Sequence, residues 1–251
     1  MKRTISVLLV ALLLALSAFA LVACGGVSGT DDWNQGIDAY KNADAVTIKI
    51  HDKNLNREFI HNKERLVSDL EVAYDANKGI AVVTMKVTAS DLVDLDPARS
   101  NSTTYYVLDG TNIIVNKKSN TYENWSDTRT LTFDSVEEAK TYMRDLYLHP
   151  CDIDEEEFPS FLELEYRGGN TTSTSNPRET KVNMFKNKYT QIFIDDESGT
   201  KFTYKLSFAN GKPSKFTYKM NEGVWHIVIR DFSMSIKYSA KITLPDDLPK
   251  A

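Results

Sequence analysis

The chain has 251 residues, with 30 Lys and Arg against 35 Asp and Glu and a formal charge of −5. That mild acidity lacks the basic face a nucleic-acid partner needs, so no nucleic-acid partner is expected. The length is enough for one large all-β domain with a sizeable core, and with only two cysteines stability must come from packing rather than from a disulfide framework.

Lys2 and Arg3 form a basic start, and residues 4–23 are uncharged and dominated by Leu, Val and Ala, the layout of an export signal. Leu21-Val22-Ala23-Cys24 closes it and resembles the bacterial lipobox. The resemblance implies cleavage before Cys24 and a diacylglyceryl anchor on that cysteine. A segment of this length can also cross a bilayer uncleaved, but a cysteine placed where cleavage belongs favours lipidation. Two acyl chains hold a protein firmly where one would exchange. The expected address is therefore the extracytoplasmic face of a bacterial cell membrane, with the membrane as partner through Cys24. Removing residues 1–23 leaves 228 and moves the charge from −5 to −7. Cys151 then has no partner within the chain. Residues 24–30, small and with three glycines, read as a short tether, and residues 31–251 as a single domain expected to act as a monomer.

Thr30 is placed to cap a helix over about 31–43, with Asp31 and Asp32 in its first turn and Trp33, Ile37 and Tyr40 at helical spacing. From Asp44 the period changes to two, with Val46, Ile48 and Ile50 on one face. The alternation returns at Leu70-Val72-Tyr74 and, after Asp75–Gly79, at Ile80 to Val87, which predicts a hairpin. Asp109-Gly110 marks another, between Tyr105–Leu108 and Ile113–Val115. Ser135 and Glu138 make a capping box for a short helix carrying Val136, Ala139, Met143 and Leu146 and stopped by Pro150. Gly168–Pro177 is a polar run with nothing to bury, hence a loop. The last third predicts a meander of four strands: Phe202–Phe208, Phe216–Met220, Trp225–Ile229 and Phe232–Tyr238, with Asn210-Gly211 as one of the turns.

About ten strands are expected, more than an open twisted sheet tolerates without curling. The fold class is mainly β (α+β): a single curved antiparallel sheet forming a half-open β-barrel, closed by about two helices. The helix-to-strand run Tyr40-Lys41-Asn42-Ala43-Asp44-Ala45-Val46-Thr47, the turn Asn210-Gly211-Lys212-Pro213 and the closing Ile242-Thr243-Leu244-Pro245 together resemble the LolA-like bacterial lipoprotein and lipid carriers, over most of residues 31–245. The resemblance implies a hydrophobic cavity that takes a lipid or an acyl chain. An anchor on Cys24 would confine such a protein to one membrane surface, so it implies retention, presentation or local transfer rather than shuttling.

No G-x-S-x-G elbow, G-x-G-x-x-G, P-loop or H-E-x-x-H is present, and the chain is expected to be non-enzymatic, without cofactor. His149-Pro150-Cys151-Asp152 sets an imidazole near a thiol in a helix exit, without an orienting third group. The acidic run Asp152–Glu157 lacks the glycine turn of a calcium loop, and Asp91, Asp94 and Asp96 form a similar solvated cluster. His51, His61 and His226 lie far apart, so no metal site is expected. Two readings of the function remain: a binder of an apolar ligand, or a surface interaction or sensor module whose interior is filled by its own helices.

Overall fold

The computed structural model describes residues 27, 29–55, 65–89, 100–151, 157–167, 178–185, 187–222 and 228–249. Cys24, His61, His226, Asp91, Asp94, Asp96, residues 152–156 and the loop 168–177 lie outside the described residues. The rest forms one antiparallel sheet of eleven strands and two helices. The strands are β1 (Ala45–Leu55), β2 (Arg65–Asp75), β3 (Ile80–Ala89), β4 (Asn101–Asp109), β5 (Asn112–Ser119), β6 (Asn124–Thr132), β7 (Arg178–Phe185), β8 (Lys188–Ile194), β9 (Lys201–Ala209), β10 (Lys212–Asn221) and β11 (Val228–Lys237), and the helices α1 (Thr30–Lys41) and α2 (Val136–Leu148).

Two meanders, β1 to β6 and β7 to β11, are joined where β1 pairs with β11, giving the order β6-β5-β4-β3-β2-β1-β11-β10-β9-β8-β7. The sheet does not close, and β6 and β7 are its edges. Turn chemistry fixes several hairpins. Asn210 and Gly211 both have positive φ, 53° and 72°, as a two-residue hairpin turn that follows the strand twist requires.

One face of the sheet is buried and carries both helices. Val46, Ile48 and Ile50 of β1, Val72 and Tyr74 of β2, and Phe216, Phe232 and Met234 from the other half belong to a single apolar cluster with Trp33, Ile37 and Tyr40 of α1 and Ala139, Met143 and Tyr147 of α2. This buried side is termed the inner face and the other the outer face. α2 begins as its sequence dictates, with the Ser135 hydroxyl accepting from the Glu138 N–H at 3.1 Å, while the Glu138 carboxylate reaches back to the Asp134 N–H. For α1 the expected cap is corrected: Gly29, not Thr30, is the N-cap, and it makes no side-chain capping bond.

The strand expectations need two corrections. Of the two final strands read around Arg230-Asp231, the described parts, Val228-Ile229 and Phe232–Lys237, lie on one continuous strand, β11, and Trp225–Ile227 lie outside the described residues. The charged pair does not interrupt it because each side chain finds an opposite charge, Arg230 with Asp52 and Asp231 with Lys219. In addition, β6, β7 and β8 were not anticipated. β6 is an almost wholly exposed edge strand, so it has no buried row to set up an apolar alternation.

Candidate functional site: the inner face and its filling

The inner face divides into an aromatic region and a polar one. The aromatic region is where the helices cross the strand ends. Trp33 packs edge-on against Tyr189, at 4.8 Å between ring centroids, and also against Phe208 and Tyr166. Tyr40 meets Tyr147 and Phe161, and Phe161 continues to Phe216 and Phe232. Such ring pairs prefer offset and edge contacts, so they interlock rather than stack flat.

The helices are clasped at their ends. The Tyr40 hydroxyl donates to the Tyr147 carbonyl at 2.9 Å, and the Tyr147 hydroxyl approaches the Tyr40 and Lys41 carbonyls at 3.2 Å. Both phenols use backbone oxygens that a helix end leaves without intrahelical partners. Burial pushes the pKa of both hydroxyls above the usual phenol value, and each phenol raises the other's further or is raised by another tyrosine nearby. Burial likewise pushes Tyr106 and Tyr204 up to about 12.

Between the helices and β10–β11 lie residues 157–167, a stretch that is neither helix nor strand. Its Phe158 and Phe161 are 5% and 1% exposed, so they fill the middle of the inner face. Phe158 packs on Phe232, and the Tyr189 hydroxyl donates to the Glu165 carbonyl at 2.9 Å. Beside this stretch a cleft of about 300 Å³ remains, lined by Ser160, Leu164, Gln191, Phe193 and Tyr204 among others. Its lining is mainly polar, with Glu163, Glu165 and Arg167 beside the two rings.

The polar region starts where β1 continues its inward row. Positions 46, 48 and 50 are Val, Ile and Ile, and position 52 is Asp. Asp52 is 4% exposed and takes a bidentate pair from Arg230, with Nε at 3.0 and 3.2 Å and Nη2 at 2.7 Å. The fork geometry explains why arginine stands here, since it matches a carboxylate at two points. Ser68, Ser102 and Ser119 are also buried on neighbouring strands. This pair was not expected from the sequence. Its signal was a charged residue at an inward position of an otherwise apolar alternation.

Of the residues singled out from sequence, His51 accompanies Asp69 at 2.6 Å on the exposed outer face, and the Cys151 thiol donates to the His149 carbonyl at 3.5 Å. Among the described residues no group of three or more His, Cys, Asp or Glu is arranged to hold a metal. Among the same residues no helix is long and apolar enough to cross a membrane, which says nothing of strands.

No family model matches the chain, and no curated protein matches its sequence. Among solved structures, an uncharacterized conserved protein from Thermus thermophilus is similar at 8% identity over 86% of this chain and 95% of that one, with a TM-score of 0.33. Similarity at that level carries no argument about fold or activity.

Proposed function

We propose that the protein is a membrane-anchored, extracytoplasmic lipoprotein, moored at Cys24, that binds a lipid or an acyl chain on the inner face of a half-open barrel of the LolA-like kind. It is not an enzyme in this reading. The observation that supports it most is the nature of the filling: Phe158, Phe161 and Tyr166 belong to a stretch with no helix or strand of its own, packed against a sheet whose ladder continues without it. An apolar chain can take the place of these rings without breaking any strand pairing. Enclosing a few hundred Å² of acyl chain contributes several kcal/mol at about 25 cal/mol per Å², against the cost of displacing the stretch.

A second reading is a surface interaction module with a permanently filled interior. It is favoured by the polar lining of the remaining cleft, in which Ser160, Glu163, Glu165, Arg167 and Gln191 stand beside Phe193 and Tyr204.

Native mass spectrometry of the full-length protein purified from its membrane, combined with hydrogen exchange, separates the two. A diacylglyceryl mass on Cys24 is expected, together with a non-covalent lipid adduct. Adding phospholipid should speed amide exchange over residues 157–167 and slow it in α1. No adduct and unchanged exchange over that stretch would leave only the filled module, and an unmodified Cys24 would remove the anchor.

A further inference from the structure

The outer face of β8–β11 carries a charge pattern unlike the rest of this acidic chain. Its exposed outward positions include Lys188, Lys201, Lys205, Lys215, Lys219 and Lys237, separated mainly by Ser and Thr. Asp231 faces the same way and is taken up by Lys219 at 3.0 Å. Among the described residues no carboxylate pairs with the other five lysines. On the adjoining strands the pattern ends: Lys49 of β1 meets Glu71 of β2 at 2.8 Å, and His51 meets Asp69. Beyond them the outer face is crossed by the C-terminal segment, held by the Ser239 carbonyl on Thr47, the Asp247 carboxylate on Trp125 and the Pro249 carbonyl on Asn116. Among the described residues that cover falls on β1, β5 and β6, outside the lysine-bearing strands β8–β11. The outer face of β8–β11 holds a depression of about 670 Å³ lined by Lys201, Lys205 and Lys219 together with Thr190, Thr203, Ile192 and one carboxylate, Glu222.

The tether reaches the β7–β8 end of the sheet from the inner side, where Val27 joins the apolar cluster. Val27 is 5% exposed, and its N–H donates to the Asn187 side chain at 3.0 Å. Asn187 closes the β7–β8 turn at a positive φ of 63° and immediately precedes Lys188. Cys24 is three residues before Val27, so a fully extended chain sets the two at most about 11 Å apart. An acyl anchor on Cys24 would thus bring the lysine row to the headgroups, within about a Debye length at its near end.

We propose that the outer face of β8–β11 is a docking surface for the anionic lipid headgroups of the membrane that holds the chain. The inference rests on the Cys24 anchor of the preceding reading and adds which side of the molecule meets the bilayer. An acyl anchor and a basic surface are the two signals that together fix a protein to an anionic leaflet. Tethering converts the contact into an intramolecular one, so lysines too weak to recruit the protein from solution suffice to orient it. The inner face, with its helices and the stretch 157–167, then points away from the bilayer.

The test is lysine acetylation footprinting of the full-length protein reconstituted in vesicles of phosphatidylcholine alone or with about a third phosphatidylglycerol. Lys188, Lys205 and Lys215 should react at least about fivefold more slowly on the anionic vesicles, and the protection should vanish near 1 M salt, where screening falls to about 3 Å. Lys140 of α2, on the opposite side, should react alike on both. The triple variant Lys188→Glu, Lys205→Glu, Lys215→Glu should remain anchored yet lose the protection of Lys219. An acylated Cys24 with equal labelling on both vesicles overturns the docking surface and leaves the anchor standing. An unmodified Cys24 with lysines still protected by anionic vesicles overturns the anchor instead. Protection by soluble polyphosphate but not by vesicles would assign the face to another polyanion and overturn the membrane as its partner.

Discussion

At the scale of single residues, the ion pair inside the sheet and the buried phenols carry the sharpest consequences. Removing Arg230 would leave the Asp52 carboxylate buried, 4% exposed, without its guanidinium. Arg230→Met should therefore cost about 2–4 kcal/mol, somewhat below the usual figure for breaking a buried pair because the Arg230 side chain keeps 21% exposure. The double variant Asp52→Leu, Arg230→Met should recover much of that loss. Urea unfolding of the three proteins checks both expectations, and a single variant as stable as wild type would mean the carboxylate is satisfied elsewhere. The tyrosines act through pH. Burial raises the phenol pKa of Tyr40, Tyr74, Tyr106, Tyr147, Tyr204 and Tyr238 in the folded chain. An unfolded tyrosine titrates near pH 10, so above that pH the unfolded state sheds protons that the folded state retains. The stabilisation from these groups is whole below about pH 10 and is lost as pH rises through their folded values. Unfolding free energy measured from pH 8 to 11.5 should fall steeply above about pH 10, and the variant Tyr40→Phe, Tyr147→Phe should have a shallower slope.

At the scale of elements, α1 is tied to the sheet through a glycine. Gly36 lies against the β9–β10 turn, where an added Cβ would run into the Gly211 carbonyl oxygen and approach Phe208 at 3.1 Å. Alanine in the middle of an exposed helix is worth about 1 kcal/mol over glycine. Here the sign should reverse, and Gly36→Ala should destabilise by about 1–3 kcal/mol, because the obstacle is backbone and cannot swing aside. A thermal melt reads this directly, and a raised Tm would show that the helix slides on its bed. The elements also show what a sequence discloses. α2 was readable because its signals are local: Ser135 and Glu138 are three positions apart and bond as their spacing implies. The Asn210-Gly211 turn was readable for the same reason. β6 was not, since an edge strand with Asp127 and Arg129 on its exposed flanks does not alternate in polarity. Nor was the partnership of Asp52 with Arg230, 178 positions away, because nothing local links them. The chain's own filling of the inner face belongs to the same class, since Phe158 and Phe161 stand in a stretch without a period.

At the scale of the whole molecule, the two meanders depend on each other through the β1–β11 ladder. Ile48 and Ile50 of β1 are buried between Val72 and Leu70 on one side and Ile236 and Met234 on the other. A chain ending after Glu222 lacks β11 and should expose those positions as an apolar sheet edge, a feature that promotes aggregation. Such a truncation should lose cooperative unfolding and yield no protease-resistant fragment from residues 29–148. A stable N-terminal fragment would mean that the first meander folds alone.

That ladder also imposes an order in time. Thr47 and Ser239 meet across it although 192 positions separate them. At a ribosome adding about 5–20 residues each second, the first strand waits roughly 10–40 s for the neighbour that completes it. Throughout that interval the middle seam of the sheet is unstitched, and Ile48 and Ile50 face solvent until the two ends of the chain find one another.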